Sequence, residues 1–349
     1  MRRHLFLLIS MFCVSIVSMA QKKYSVYALG FYNQENLFDT THDEGKNDYE
    51  YTPEKGWTQL QYEHKLHNMA RVLSEMGTDV LPNVGCAFIG LSEVENAHVL
   101  DDLTAQPELS NRGYKYVHIE GPDKRGVDCA LLYNPALFTV KSQELVPFIP
   151  NEDILDSNPD FVTRGFLVVK GEMAGESIAV IVNHWPSRFS TSKYRECAAI
   201  QVSVLKDDIL EKDPNTKIFI MGDFNDDPTN KSISEVLSAK GEITEVFDTD
   251  LYNPWYNYLV KEGTGTLSYQ GSWNLFDQII VTPNLVYGTQ QKEYSTLKYF
   301  KTQIFKRDYM IQQSGKYKGT PLRTKAGGTW LDGYSDHLPV VMYTIKEKQ

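Results

Sequence analysis

The chain has 349 residues, of which 42% are hydrophobic and 23% charged, and its formal net charge is −10. That length is enough for a large buried core, and a two-sheet sandwich can reach it as one domain. The acidic balance excludes a protein that holds polyanions through diffuse positive charge, so a phosphate ester would have to be met by a local site and a bound cation.

In chain order, the first feature reads as a leader. Arg2 and Arg3 give a positive start, Leu5 to Val17 is apolar but short for a bilayer, and Ser18-Met19-Ala20 puts small residues where a signal peptidase reads. Cleavage is expected after Ala20, giving an exported protein, periplasmic or extracellular. Losing Arg2 and Arg3 takes the net charge from −10 to −12. Cys13 lacks a lipoprotein context, and no later segment is long and apolar enough to cross a membrane. Residues 21–349 read as one domain, without internal repeats or a low-complexity linker. Cys86, Cys129 and Cys197 are odd in number and match no zinc spacing, so buried thiols or one incidental disulfide are expected.

Strand-length apolar runs then recur between turn residues: Tyr27–Phe31, Ala87–Leu91, Ala130–Tyr133, Phe166–Val169, Ile178–Val182, Ile218–Met221, Gln278–Val281 and Val340–Ile345. Many are apolar on both faces, as in sheets covered by helices. Trp57–Met76 reads as an amphipathic helix with Tyr62, Leu66, Met69, Leu73 and Met76 on one stripe and Gly77 after its end. Lys193–Glu211 repeats the pattern with Cys197, Ala198, Leu205 and Ile209 after a possible cap at Ser192. A shorter helix is expected over Ser232–Lys240, ending at Gly241. Strands mixed with a few helices argue an α/β sandwich.

The chemistry-bearing residues sit where these strands end. Asn33 and Glu35 follow the first run, Glu93 and Glu95 the second, Asn183 and His184 the fifth, and Asp223 and Asn225 the sixth. In two places the order flips, with Asp277 preceding Ile279–Val281 and Asp336-His337 preceding Val340. If the last two strands run antiparallel to the other four, all six clusters fall on one edge, where a rigid scaffold presents side chains into a cleft. The set holds hard oxygen ligands, two histidines and no cysteine, which suits Mg²⁺ or Mn²⁺ and not zinc. Phosphoester hydrolysis needs charge neutralisation, an activated water and a stabilised leaving oxygen, and this set can supply all three.

The ordered strings FYNQENLFD, IGLSEVEN, VNHWPSR, MGDFNDDP, FDQII and YSDHLPV resemble the endonuclease/exonuclease/phosphatase superfamily, from about Tyr27 to Tyr343. NQENLFD and RTKAGGTWLDGYSDH look most like a poorly characterised, often exported bacterial branch of it. The resemblance implies a four-layer α/β sandwich, two mixed β-sheets packed face to face and flanked by helices, and a metal-dependent phosphoesterase. By the same resemblance Glu93 and Asp336 are metal-side carboxylates, and Asn33 lies beside metal and phosphate. Glu35 stands where relatives often have an aspartate, so its metal role is less direct. Asp223 orients or deprotonates the attacking water, with Asn225 positioning the phosphate. His337 meets the phosphate with Asp277 as its partner. His184 matches a second histidine of deoxyribonuclease-like members, where abasic-site endonucleases have tyrosine.

Other charged residues read as follows. Glu95 is a supporting or exposed carboxylate. Asp226 and Asp227 are solvated loop charges. The acidic stretch Asp39–Glu54 fits no EF-hand spacing and reads as a solvated loop rather than a calcium site. Lys292–Lys325 contains nine Lys or Arg and two acidic residues, with aromatics interleaved, directly before the Asp336-His337 cluster. It reads equally as a nucleic-acid wall of the cleft or as a solvated insertion whose aromatics are core. Arg125, Arg164, Arg188 and Arg323 are further phosphate-contact candidates, with Arg188, near His184, the best placed.

These features favour a Mg²⁺-dependent phosphodiesterase of nuclease type. A phosphatase or phosphodiesterase for lipid head groups or small phosphate esters is the alternative within enzymes. An inactive binding protein on the same scaffold is opposed by the joint presence of Glu93, Asp223, Asn225, Asp277, Asp336 and His337.

Overall fold

The structure, a computed structural model, describes residues 22–348; the expected leader over residues 1–20 lies outside them. The strands in chain order are β1 Tyr24–Leu37, β2 Cys86–Val94, β3 Lys115–His118, β4 Asp128–Tyr133, β5 Phe138–Val146, β6 Phe166–Met173, β7 Glu176–His184, β8 Lys217–Asp223, β9 Ala239–Lys240, β10 Leu251–Tyr252, β11 Leu267–Tyr269, β12 Ser272–Asn274, β13 Asp277–Val281, β14 Lys298–Ile304, β15 Lys325–Ala326, β16 Thr329–Trp330 and β17 Val340–Glu347. Six form one mixed sheet in the order β14-β17-β1-β2-β4-β3, and seven form another in the order β5-β6-β7-β8-β13-β10-β9.

The sheets meet through an apolar layer that includes Leu29, Phe31, Phe88 and Met342 from the first and Val180, Phe219, Met221 and Ile279 from the second. Each central strand also needs an apolar outer face, because a helix covers it. Helix Gln59–Glu75 buries Tyr62, Leu66, Met69 and Leu73 against the first sheet. Helix Ser192–Lys212 covers the second, burying Ala198, Ala199 and Val202. This is the expected sandwich of two sheets flanked by helices. Among the described residues no helix is long and apolar enough to cross a membrane. Cys86, Cys129 and Cys197 are buried free thiols.

The topology places the site. β1 and β2 are parallel, as are β7 and β8, whereas β13 runs antiparallel to β8 and β17 antiparallel to β1. The expected reversal therefore holds. Asp277 pairs in register with Asp223, and Asp223 with His184.

Local expectations needed correction in two places. The long helix starts at Ser192, so Thr191, not Ser192, takes the cap position. Only the first part of Ser232–Lys240 is helical: a single π-helical turn spans Ser232–Val236, Ser238 takes a left-handed φ of 50°, and Ala239–Lys240 joins the sheet. Pairing with β10 outweighs the helical preference of so short a segment.

Candidate active site

Three site residues lie where the backbone leaves the strand. Glu35, Glu93 and Asn225 have φ of 47°, 59° and 51°, and the β1–β2 and β2–β4 ladders both slip beside the first two. Left-handed non-glycine residues cost of order 1–3 kcal/mol each and persist where surrounding contacts over-determine them. Here those contacts are visible. The Glu35 N–H donates to Asn33 Oδ1 at 2.8 Å, the Asn36 N–H to Glu93 Oε2 at 3.0 Å, and the Asn225 N–H to Asp223 Oδ1 at 2.9 Å.

Asp223 is the hub. It is buried, and its Oδ2 accepts from Asn33 Nδ2 at 3.0 Å. Burial pushes its carboxyl up to about 6, opposed by the His337 charge. His184 Nε2 lies 3.7 Å from Asp223 Oδ2 and 3.7 Å from Glu93 Oε1, and His337 Nε2 lies 3.9 Å from Asp223 Oδ2. These separations exceed hydrogen bonds, so each Nε2 remains available to a substrate atom.

The two histidines differ in charge. His337 Nδ1 meets Asp277 Oδ2 at 2.7 Å, and both are buried. Burial alone would lower the His337 pKa, but the Asp277 and Asp223 charges outweigh it and hold it well above the usual value. For His184, burial and then the Arg164 charge hold it well below. Its Nδ1 is buried without a hydrogen-bond partner. Near neutral pH the site thus presents one imidazolium and one neutral imidazole.

On the other side the exposed Arg323 bridges buried Glu35 and partly exposed Asp336. Arg323 Nε meets Glu35 Oε1 at 3.1 Å and its Nη2 meets Asp336 Oδ2 at 2.9 Å, while the Thr324 N–H donates to Glu35 Oε2 at 2.7 Å. Burial and the Asp336 charge raise Glu35 to about 7. Lys65 lies on the buried stripe of its helix and donates to Thr324 Oγ1 at 2.6 Å and the Tyr334 carbonyl at 2.5 Å. Burial lowers it to about 8. Lys65 was not singled out from the sequence, although its place one turn before Met69 on the apolar stripe was a signal. Ser335 was missed too: its Oγ donates to the Asn33 carbonyl at 2.8 Å and accepts from the His337 N–H at 3.1 Å.

The arginines read as phosphate contacts, and several acidic residues, have other partners in the structure. Arg164 is buried and spends its donors on the His184 and Trp185 carbonyls and on Asp123, so it holds the β7 end and cannot reach a phosphate freely. Arg188 is engaged by the Asn225 carbonyl, Asn274, Asp227 and Asn230, and it lies over the Phe276 ring. Arg125 is exposed beside Asp123. Asp226 is not solvated: Arg195 Nε lies 2.8 Å away and the Ser232 hydroxyl donates to it at 2.7 Å. Asp227 accepts the Leu275 N–H at 2.6 Å. Glu95 is buried, and so are Asp39 and Asp48 of the acidic stretch read as a solvated loop.

The basic segment does not form one wall. Lys298 pairs in register with Ile345, at the end of the sheet remote from Val340, and donates to the Asn284 carbonyl. Arg307 is held by Glu75 and Asp79, and Arg323 by Glu35 and Asp336.

The sequence profile of the Endonuclease/Exonuclease/phosphatase family matches residues 28–346. The chain belongs to that family. It is therefore a phosphoester hydrolase, in a family whose members depend on a divalent metal. Among solved structures, it is similar to an endonuclease/exonuclease/phosphatase family protein of Bacteroides thetaiotaomicron, with TM-score 0.56, 16% identity, and 93% of this chain and 97% of that one covered. A mannosyl-6-phosphatase of Bacteroides thetaiotaomicron gives 0.55 at 16%, covering 91% and 99%. D. rerio TDP2 complexed with single strand DNA product gives 0.53 at 14%, covering 92% and 99%. No curated protein matches the chain.

The donor set fits a divalent metal. Among the described residues no hydrogen bond reaches Glu93 Oε1 or Asp336 Oδ1, and both side chains are partly exposed. Asp223, Asp277 and His337 also bring ligand atoms within 4.8 Å of one another. There His337 Nδ1 is committed to Asp277 Oδ2, which leaves His337 Nε2 and the unpartnered Asp277 Oδ1 as the atoms that could face an ion. Glu93 and Asp336 instead each keep one carboxylate oxygen free of any hydrogen bond.

One glycine of this family site is dictated by space. A Cβ on Gly222 would collide with the Asn183 carbonyl oxygen across the β7–β8 pair. Gly222→Ala is expected to cost about 1–3 kcal/mol in overpacking and to lower kcat by moving Asp223. Thermal melts and steady-state kinetics check this, and no change in either would show that the strands have room.

Proposed function

We propose that this protein is an exported Mg²⁺-dependent hydrolase of small phosphate esters. The observation that carries the substrate class is the engagement of its cations. Of the four arginines assigned to phosphate, Arg164, Arg188 and Arg323 are already bonded within the protein and Arg125 stays exposed beside Asp123, while in the basic segment Arg307 is paired and Lys298 lies at the far end of the sheet. A polynucleotide needs successive phosphate contacts, and an acidic surface repels the rest of the polyanion. A small ester needs only the site.

When bound by Glu93 and Asp336, the divalent ion supplies charge neutralisation to the phosphate. The remaining work falls to side chains. Asp223, fixed by Asn33 and the Asn225 N–H, takes the proton of the attacking water. His337, held by Asp277 through Nδ1, presents an Nε2–H to the phosphate where negative charge grows. His184 presents its Nε2 at 3.7 Å from the same Asp223 oxygen.

A nuclease is the second reading, favoured by Phe189, fully exposed next to Arg188, where a base could stack. A panel with Mg²⁺ decides: sugar phosphates, an aryl phosphodiester, single-stranded and duplex DNA, RNA and sphingomyelin. Small esters should give the higher kcat/KM. Neutralising Lys298, Lys301, Lys306 and Arg307 together should leave those values within about twofold, since surface charges far from a small ester contribute little. Faster DNA cleavage, with KM for DNA raised in the quadruple variant, would overturn the small-ester reading in favour of a nuclease.

A further inference from the structure

The acidic loop that follows β1 takes no part in the chemistry above. One ligand oxygen each of Asp43, Asp48 and Glu95 lies within 4.8 Å of the others. Asp48 is 1% and Glu95 3% exposed, and Asp43 is half-buried. Asp39, also buried, adjoins them through its N–H, which donates to Glu95 Oε2 at 2.7 Å.

Two observations show that this cluster is incomplete. Glu95 Oε1 is buried and has no hydrogen-bond partner. Among the described residues, no lysine or arginine forms an ion pair with Asp39, Asp43, Asp48 or Glu95; only His42 meets Asp48. Lys46 of the same loop turns away, donating to the Gly121 and Asp123 carbonyls at 3.1 and 3.3 Å. Buried carboxylates this close are costly unless paired or bound to a metal. The carboxylates are also held together. The Asp43 N–H donates to Asp48 Oδ2 at 2.8 Å, and Asn96 Nδ2 reaches Asp43 Oδ2 at 3.4 Å.

We propose that Asp43, Asp48 and Glu95 form a second divalent-cation site, selective for calcium, that fixes the 39–48 loop against the end of β2. The donors are all oxygen, which excludes soft metals. They come from an irregular loop and a strand end, with Asp43 half in water. Calcium accepts six to eight oxygens in such flexible arrangements, whereas magnesium demands near-octahedral geometry. The site also bears on the active site. The loop is tied to the next segment by the Asn47 N–H on the Lys124 carbonyl at 2.7 Å, and Asp123 there holds Arg164, which holds the His184 carbonyl. This inference does not depend on the reaction proposed above.

The test uses metal-stripped protein, with calcium or magnesium titrated by calorimetry and thermal melting. The variants are Asp43→Asn, Glu95→Gln and Glu93→Gln, each checked for native circular dichroism. Calcium should bind Glu93→Gln, whose catalytic metal site is weakened, at one site, and should bind the unmodified protein at least as well. It should raise Tm by roughly 5 °C at a hundredfold excess over Kd, with magnesium doing less. Glu93→Gln should keep this response, and Asp43→Asn, whose half-exposed carboxylate the fold can spare, should lose it. Glu95→Gln should weaken it. No calcium binding, an unchanged response in Asp43→Asn, or loss in Glu93→Gln alone would each overturn the proposal. The hydrolytic reading fails on a different result, full turnover by Glu93→Gln.

Discussion

Hydrolysis is expected to vanish in excess chelator and to return with Mg²⁺ or Mn²⁺, and Glu93→Gln is expected to lose most of the activity while keeping the fold. The backbone at Glu93 takes a φ of 59°, which turns the side chain out of the strand's alternation. Its Oε2 is pinned by the Asn36 N–H at 3.0 Å, and its Oε1 is left for a ligand. Glutamine keeps that shape and can still accept the Asn36 N–H. It removes the negative charge that a hard cation requires. Loss of that charge stabilisation should cost on the order of 10²-fold or more in turnover at fixed Mg²⁺. Raising Mg²⁺ should recover part of the loss, because the defect is in affinity for the ion. Turnover measured against Mg²⁺ concentration reads this directly. Full activity in chelator, or a Glu93→Gln curve that overlays the unmodified one, would remove the metal from the reaction.

The fold was legible because its signals were local. Runs such as Ile178–Val182 and Ile218–Met221 are apolar on both faces only where a strand is covered twice, and each run extends outward into an observed strand. The flip in order at Asp277 and Asp336 was enough to orient β13 and β17. The gathering of Asp223, Asp277, His184 and His337 at one edge was legible for the same reason, since strand ends carry them. The cations were not. Whether Arg164 and Arg188 face a phosphate or brace a loop depends on carbonyls distant in sequence, those of His184, Trp185 and Asn225. Lys65 carried no functional reading in the sequence because its partners, Thr324 and the Tyr334 carbonyl, are distant in the chain. Asp39, Asp48 and Asp226 failed likewise: a run of acidic residues predicts solvation, but their burial is set by the chain packed on top. The helix expected over Ser232–Lys240 was cut to one turn, Ser232–Val236, because a two-residue strand pairing decided its end.

Asp223→Asn and His337→Ala should each lower kcat by on the order of 10²-fold or more, the range for acid–base and electrostatic groups. They should differ in stability. Asparagine at 223 keeps an oxygen for Asn33 Nδ2 and loses only a partly raised carboxylate, so its Tm should change little. His337→Ala leaves Asp277, fully buried and 2.7 Å from the missing Nδ1, without its cation. Removing one member of a buried pair typically costs about 3–5 kcal/mol, so Tm should fall clearly. That fall could be mistaken for the cause of lost activity, and the double variant His337→Ala, Asp277→Asn separates the two. It removes the stranded charge, so Tm should rise again toward the unmodified value. kcat should stay at the His337→Ala level, because the Nε2–H that met the phosphate is still gone. If kcat recovered along with Tm, His337 would be a structural residue and the phosphate contact would belong to another group. If Asp223→Asn kept near-normal kcat, the attacking water would have a different base, and His184, neutral and 3.7 Å from the Asp223 carboxylate, would be the next residue to replace.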